Sequence, residues 1–115
     1  MESTVQQQKN FTAKFAKKLA SRDYVSAYAM TSLNYQHSTT LEEMSDKFEM
    51  IMTPDLNNGK IIVGEYMESW PSKQAGELGW VYVSIGGDIY SEAIVVVVCS
   101  EDDQLKINAV EFGRP

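Results

Sequence analysis

Ile94-Val95-Val96-Val97-Val98-Cys99 is apolar at six consecutive positions. Five of the six are β-branched, which suits a strand. Side chains alternate across a strand, so a run like this sends apolar groups to both faces of a sheet. A half-exposed antiparallel strand would instead alternate with polar residues. The run therefore reads as a central strand that is dry on both sides. Helices from the same chain can cover one face only. For the other face three readings stay open. Scattered apolar residues are left exposed, as central strands tolerate. A second copy of the chain covers them. Or a different protein does.

The neighbouring sequence supplies the rest of the sheet. The strand holding this run is expected over residues 89 to 99, with a polar turn over Ser100 to Asp103 and a last strand over Gln104 to Phe112. Upstream, Trp80-Val81-Tyr82-Val83-Ser84-Ile85 is rich in β-branched and aromatic residues, and Gly86-Gly87-Asp88 is a tight hairpin signal. Residues 60 to 70 read as another strand and Pro71 to Gly79 as a loop. Short connections make antiparallel neighbours.

Before Gly59 the apolar period is helical. A first helix is expected over 4 to 20, with Phe11, Phe15 and Leu19 on one stripe and Lys14, Lys17 and Lys18 off it. Its start has two candidate capping boxes, Ser3 with Gln6 and Thr4 with Gln7. Ser21 is placed to cap a second helix over 22 to 33, followed by a polar loop over 34 to 39. Thr40-Leu41-Glu42-Glu43 opens a third helix on a capping box, with Leu41, Met44, Phe48, Ile51 and Met52 at helical spacing. Pro54 stops it, and Asp55 to Gly59 is turn-rich. The expected fold class is α+β: three N-terminal helices packed on a four-stranded antiparallel sheet, in one domain over 1–115.

Composition narrows the function classes. The chain has 115 residues, 43% of them hydrophobic, and a formal net charge of −6. That charge argues against a nucleic-acid backbone or an anionic membrane surface as partner. It is unevenly spread. Residues 1 to 35 hold five basic and two acidic groups, and the remaining eighty hold five basic and fourteen acidic. A solvated acidic surface and a docking face for a basic partner are both open. Cys99 is the only cysteine, so no intrachain disulfide forms, and the first ten residues lack the apolar core of a signal peptide. A cytoplasmic protein is the expectation.

The run Asp23-Tyr24-Val25-Ser26-Ala27-Tyr28-Ala29-Met30-Thr31-Ser32, after a first amphipathic helix, resembles the second helix of many nuclear transport factor 2-like proteins. The end of the chain, Gly79-Trp80-Val81-Tyr82 through Val110-Glu111-Phe112-Gly113-Arg114-Pro115, resembles small uncharacterised bacterial members of that superfamily. The resemblance implies the cystatin-like cone, three helices on a strongly curved antiparallel sheet. Proteins of this kind include ketosteroid isomerase-like and dehydratase-like enzymes, ligand-binding proteins, and protein-binding members that neutralise toxins as immunity proteins. The fold alone does not choose among them.

The residues favour binding over catalysis. His37, the only histidine, falls in an expected polar loop, and a dyad with Asp46 or Asp88 is not established by spacing. Glu65 and Glu92 lie inside strand-like segments and are the best candidates for a buried acid–base group. Tyr24, Tyr28, Tyr66, Trp80 and Tyr82 are candidates for lining a pocket, with Trp70 and Tyr90 beside them; aromatic rings also fill cores. One Cys and one His give no metal-ligand cluster, and Gly86-Gly87 lacks the helix and Lys-Ser/Thr of a phosphate loop. No cofactor is expected. The leading expectation is a non-enzymatic protein-binding domain, concretely an immunity protein facing a basic toxin domain. Its partner-interface candidates are Glu42, Glu43, Asp46 and Glu49, with Val95, Val96, Val97 and Val98 for a homodimer or other contact through the sheet. The alternative is a small-molecule-binding protein or an enzyme using the cone pocket.

Overall fold

The apolar run lies inside the sheet. The computed structural model describes residues 3–52, 60–86 and 91–113. Strands β1 (Lys60–Met67), β2 (Glu77–Gly86), β3 (Ser91–Glu101) and β4 (Gln104–Phe112) form one antiparallel sheet in the order β1-β2-β3-β4. Each strand pairs with its neighbour in sequence, so β3 is flanked on both sides. Its register sets Val81 opposite Val96 and Val83 opposite Ile94 on β2, and Val110 opposite Val96 on β4.

Strand alternation sorts the residues into two faces. Ile94, Val96 and Val98 of β3, with Val81, Val83 and Ile85 of β2 and Ile107 of β4, are fully buried in the main core. The helices supply the other half of that core. Helix α1 (Val5–Ala20) buries Gln8, Thr12, Phe15, Ala16 and Leu19. Phe11 packs at the core's margin, half-buried. Of the two possible capping boxes, Thr4 and Gln7 form the real one: the Gln7 amide donates to Thr4 Oγ1 at 3.0 Å and the Thr4 amide to Gln7 Oε1 at 2.8 Å. Helix α4 (Leu41–Ile51) starts on the expected box between Thr40 and Glu43 and buries Met44 and Phe48. The box holds the Glu43 carboxyl below its usual range, because it accepts from the Thr40 amide.

The second helix differs from its expected course. It is two short helices, α2 (Tyr24–Ala29) and α3 (Leu33–Ser38), so the chain has four helices among the described residues rather than three. The break between them has a physical cause in β4. The Ser32 amide donates to the Ile107 carbonyl at 2.8 Å, and the Ile107 amide to the Met30 carbonyl at 2.9 Å. Met30 still has helical dihedrals, but these bonds take the chain into extended backbone by Ser32, and Thr31 forms an isolated parallel bridge with Ile107. Ser32 then caps α3, accepting from the Tyr35 amide at 3.0 Å. The segment expected as a loop over 34 to 39 is thus mostly helix. Asp23, not Ser21, caps α2, through the Ser26 amide; Ser21 ends α1 instead. Pro54, the connection from Asp55 to Gly59, and Gly87 and Asp88 of the expected hairpin lie outside the described residues.

Each strand pair carries a register shift. They fall between Val63 and Tyr66, between Glu77 and Gly79, and between Val97 and Val98, where Asn108 is the extra residue on β4. Such bulges bend and twist a sheet. β2 starts at Glu77, inside the stretch expected to be a loop, because the bulge at Leu78 lets pairing continue. Among the described residues no helix is long and apolar enough to cross a membrane.

Gly79 marks a close approach. A Cβ built there would lie 2.2 Å from Gln8 Oε1 and 2.5 Å from Tyr66 Cε2. The Tyr66 hydroxyl, which donates to Gln8 Oε1 at 2.9 Å, holds both groups in that position. Gly79→Ala should therefore cost about 1–3 kcal/mol, the usual range for overpacking. Urea unfolding checks this, and Gln8→Ala in the same chain should recover part of the loss.

Candidate binding cleft on the outer face of the sheet

The outer face of β3 is not bare. Ala93, Val95, Val97 and Cys99 point away from the helices, yet they are only 1%, 2%, 8% and 4% exposed. Their cover comes from this chain. Trp80 of β2 and Ala109 of β4 sit opposite Val97; Tyr82 and Glu111 sit opposite Val95. The segment from Glu68 to Gly76, between β1 and β2, brings Trp70 over the same face. Its turns are tied by bonds from the Lys73 amide to the Trp70 carbonyl and from the Glu77 amide to the Gln74 carbonyl, both 3.1 Å. The Ser100 amide fastens it to β3 through the Gly76 carbonyl at 3.1 Å.

Between this segment and the sheet lies a cleft of about 190 Å³. Trp70 and Trp80 line it, Val95, Val97 and Ala109 contribute its apolar surface, and Glu77 and Glu111 supply two carboxylates. Glu77 is 9% exposed and is the one charged residue buried to that degree among the described residues. The bulge at Leu78 puts it in register with Cys99 and so on the outer face. Its Oε1 accepts from the Gln74 amide at 2.7 Å, and its Oε2 from Asn108 Nδ2 at 2.8 Å. Asn108 Oδ1 in turn accepts from Ser32 Oγ at 2.7 Å. Two neighbouring bulges thus join the covering segment, the sheet and the cap of α3 in one polar chain. These two donors to Glu77 are neutral.

A second hollow, about 710 Å³, adjoins the start of α1 and shares Glu77 and Lys73 with the covering segment. Lys73 Nζ sits 5.4 Å from the centre of the Trp70 ring and donates to the Glu68 carbonyl at 2.7 Å.

The residues singled out in the sequence are scattered by the fold. Trp80 lines the cleft, and Tyr82 shares its face. Tyr66 belongs to the inner face and the second hollow. The Tyr28 hydroxyl donates to the Thr39 carbonyl at 2.7 Å, and its ring meets Tyr35 edge-on at 6.5 Å. Tyr35, which is buried, has its hydroxyl pKa pushed up to about 12, first by desolvation. Tyr24 donates to the Glu49 carboxylate, and burial followed by that bond raises its pKa. Glu65 is exposed in the bulge of β1. Glu92 pairs with Ile85 near the end of the sheet, half-buried and on the helix side. Neither carboxylate stands among the tyrosines. Tyr90 and Asp88 lie outside the described residues, and His37 is exposed on α3.

The interface candidates divide as well. Glu42, Glu43, Asp46 and Glu49 are exposed on α4, but Glu43 serves the capping box. Glu49 lies 2.7 Å from Arg22 Nε in an ion pair. Val96 and Val98 are enclosed in the core, out of a partner's reach, and Val95 and Val97 are already covered. Glu77 and Asn108 are absent from the sequence-based candidates. Glu77 fell outside notice because Pro71 to Gly79 read as a loop, which hid the bulge that places Glu77 on the sheet.

Compared with family models, curated proteins and solved structures, the chain has no significant match.

Two outcomes test this geometry. Asn108→Ala strips hydrogen bonds from Glu77 and Ser32 and should cost about 1–3 kcal/mol in chemical unfolding. Cys99 reports the cover directly. Burial, aided by Glu101 and Glu77, pushes its thiol up to about 11. At pH 8 the native protein should therefore resist a thiol reagent that labels the unfolded chain fully. Asn108→Ala should speed labelling at least several-fold. The native thiol keeps its proton above the ordinary value of 9.0, so this group's contribution to stability falls as pH rises from 9 towards about 11.

Proposed function

We propose that this chain is a non-enzymatic protein-binding domain of the cystatin-like cone type, resembling nuclear transport factor 2-like proteins, that engages a basic protein through the outer face of its sheet. The observation that carries the reading is the cleft itself. It joins half-buried aromatic surface to a carboxylate that is buried yet, among the described residues, paired with no cation. Aromatic residues in a well-packed recess are the usual anchors of a protein interface. The net charge of −6 favours association with a basic surface. In its particular form the proposal is an immunity protein that neutralises a basic toxin domain.

The rival pocket reading needs an open interior with an inward carboxylate. Phe15, Leu19, Met44 and Phe48 fill the space between helices and sheet, and all four are fully buried. Glu65 is exposed, and Glu92, though on the helix side, sits half-buried near the end of the sheet opposite Ile85. A homodimer through β3 also loses its first motive, because Val95 and Val97 already have cover within the chain. On α4, Glu42 and Asp46 suit a steering role: they are exposed, and the cap and the Arg22 ion pair do not use them.

The test compares three immobilised proteins. Wild type should retain a basic protein from the source cell, and the purified partner should bind Trp80→Ala at least tenfold more weakly. Glu42→Gln with Asp46→Asn should lower the association rate and its salt dependence. A partner bound equally by wild type and Trp80→Ala overturns the outer-face assignment.

A further inference from the structure

We propose that the cleft between Trp70 and Trp80 is a receptor for one arginine side chain presented by the protein partner. The inference rests on the functional reading above and adds the chemistry of the contact.

Size comes first. A volume of about 190 Å³ equals roughly six water molecules at ~30 Å³ each, the scale of a guanidinium and its methylene stem. The surfaces match that group in order. Ala109, half-buried above the covered floor of Val95 and Val97, offers apolar surface to the stem, as long basic side chains prefer. The indoles offer π-faces to a cation. One of them already holds a cation inside this molecule: Lys73 Nζ stands 5.4 Å from the centre of the Trp70 ring.

Charge comes second. Glu77 and Glu111 both line the cleft, and among the described residues no basic side chain does. The Glu77 carboxylate accepts from the Gln74 amide on one oxygen and from Asn108 Nδ2 on the other. A carboxylate oxygen has two acceptor sites, so a fork of donors can add to these bonds. Burying a carboxylate against neutral donors offsets only part of its desolvation cost. A cation arriving in the cleft supplies the remainder and is in turn desolvated by the tryptophans.

Arginine fits better than lysine. Its guanidinium is planar, stacks on an indole, is weakly hydrated, and presents a fork of donors to carboxylates. A lysine ammonium would bring three strongly hydrated donors into a recess with an apolar floor.

The chain supplies its own reporter. It has two tryptophans, and both line the cleft, so tryptophan emission, excited where tyrosine does not absorb, reads this site. The probe is acetyl-Gly-Arg-Gly-amide, with citrulline and lysine versions as controls. The arginine peptide should give a saturable emission change with roughly millimolar affinity, the scale of a single-residue contact. Lysine should bind at least tenfold more weakly, and neutral citrulline should give no saturable change. Glu111→Gln, an exposed position whose loss spares the fold, should weaken arginine binding at least threefold. Equal responses to arginine and citrulline, or to arginine and lysine, overturn the proposal. So does a Glu111→Gln protein that binds like wild type.

The two readings fail separately. If the peptide does not bind but Trp80→Ala still loses the basic partner, the arginine assignment falls and the interface stands. If the peptide binds while partner capture ignores Trp80→Ala, the cation site stands and the functional reading falls.

Discussion

A strand with apolar side chains on both faces must be kept from water twice. β3 imposes that condition, and most of the architecture answers it. α1 and α4 answer on one side with Phe15, Leu19, Met44 and Phe48. On the other side no helix is available among the described residues. The chain answers there with a folded-back connection, two indoles and an aliphatic seam, which is a thinner cover. The bulges belong to the same solution. They bring Glu77 and Asn108 within hydrogen-bonding distance across the outer face of β3 and so bolt the connection down.

That solution leaves an electrostatic imbalance. The bolt contains a carboxylate, and a buried carboxylate held by neutral donors is less well solvated than one in water. Glu77 therefore serves two ends. It orders the segment from Glu68 to Gly76, and it makes the recess beside it attractive to positive charge. The same side chain ties stability to recognition. Changes that relieve its burial would loosen the cover, and changes that strengthen the cover by removing the charge would blunt the recess.

Much of the fold was legible in the sequence, for local reasons. The capping boxes at Thr4 and Thr40 are written in four consecutive residues each. The last strand falls where it was expected, but the turn before it is only Asp102-Asp103, because Ser100 and Glu101 still pair with Leu105 and Gln104. The split between α2 and α3 was not legible. It depends on hydrogen bonds from residues 30 to 32 to Ile107, some seventy-five residues away in the chain, which override helical propensity. The candidate site was legible only in part. Trp80 stood out, but Glu77 did not. A one-residue bulge decides which face it occupies, and bulges leave little trace in a pattern of alternation. Glu65 and Glu92 lay in segments that looked more regular and so drew attention first.

The isolated bridge between Thr31 and Ile107 has a consequence for assembly. β4 is one of the two outer strands of the sheet, and an outer strand is an open template for another chain's backbone. At the middle of β4 that template is already taken by Met30 and Ser32. At the opposite border, β1 is interrupted by its bulge at Gly64 and Glu65. Growth of the sheet by adding strands, whether to a partner's peptide or to a fibril, is thus obstructed at both borders. Contacts with other molecules are left to the faces.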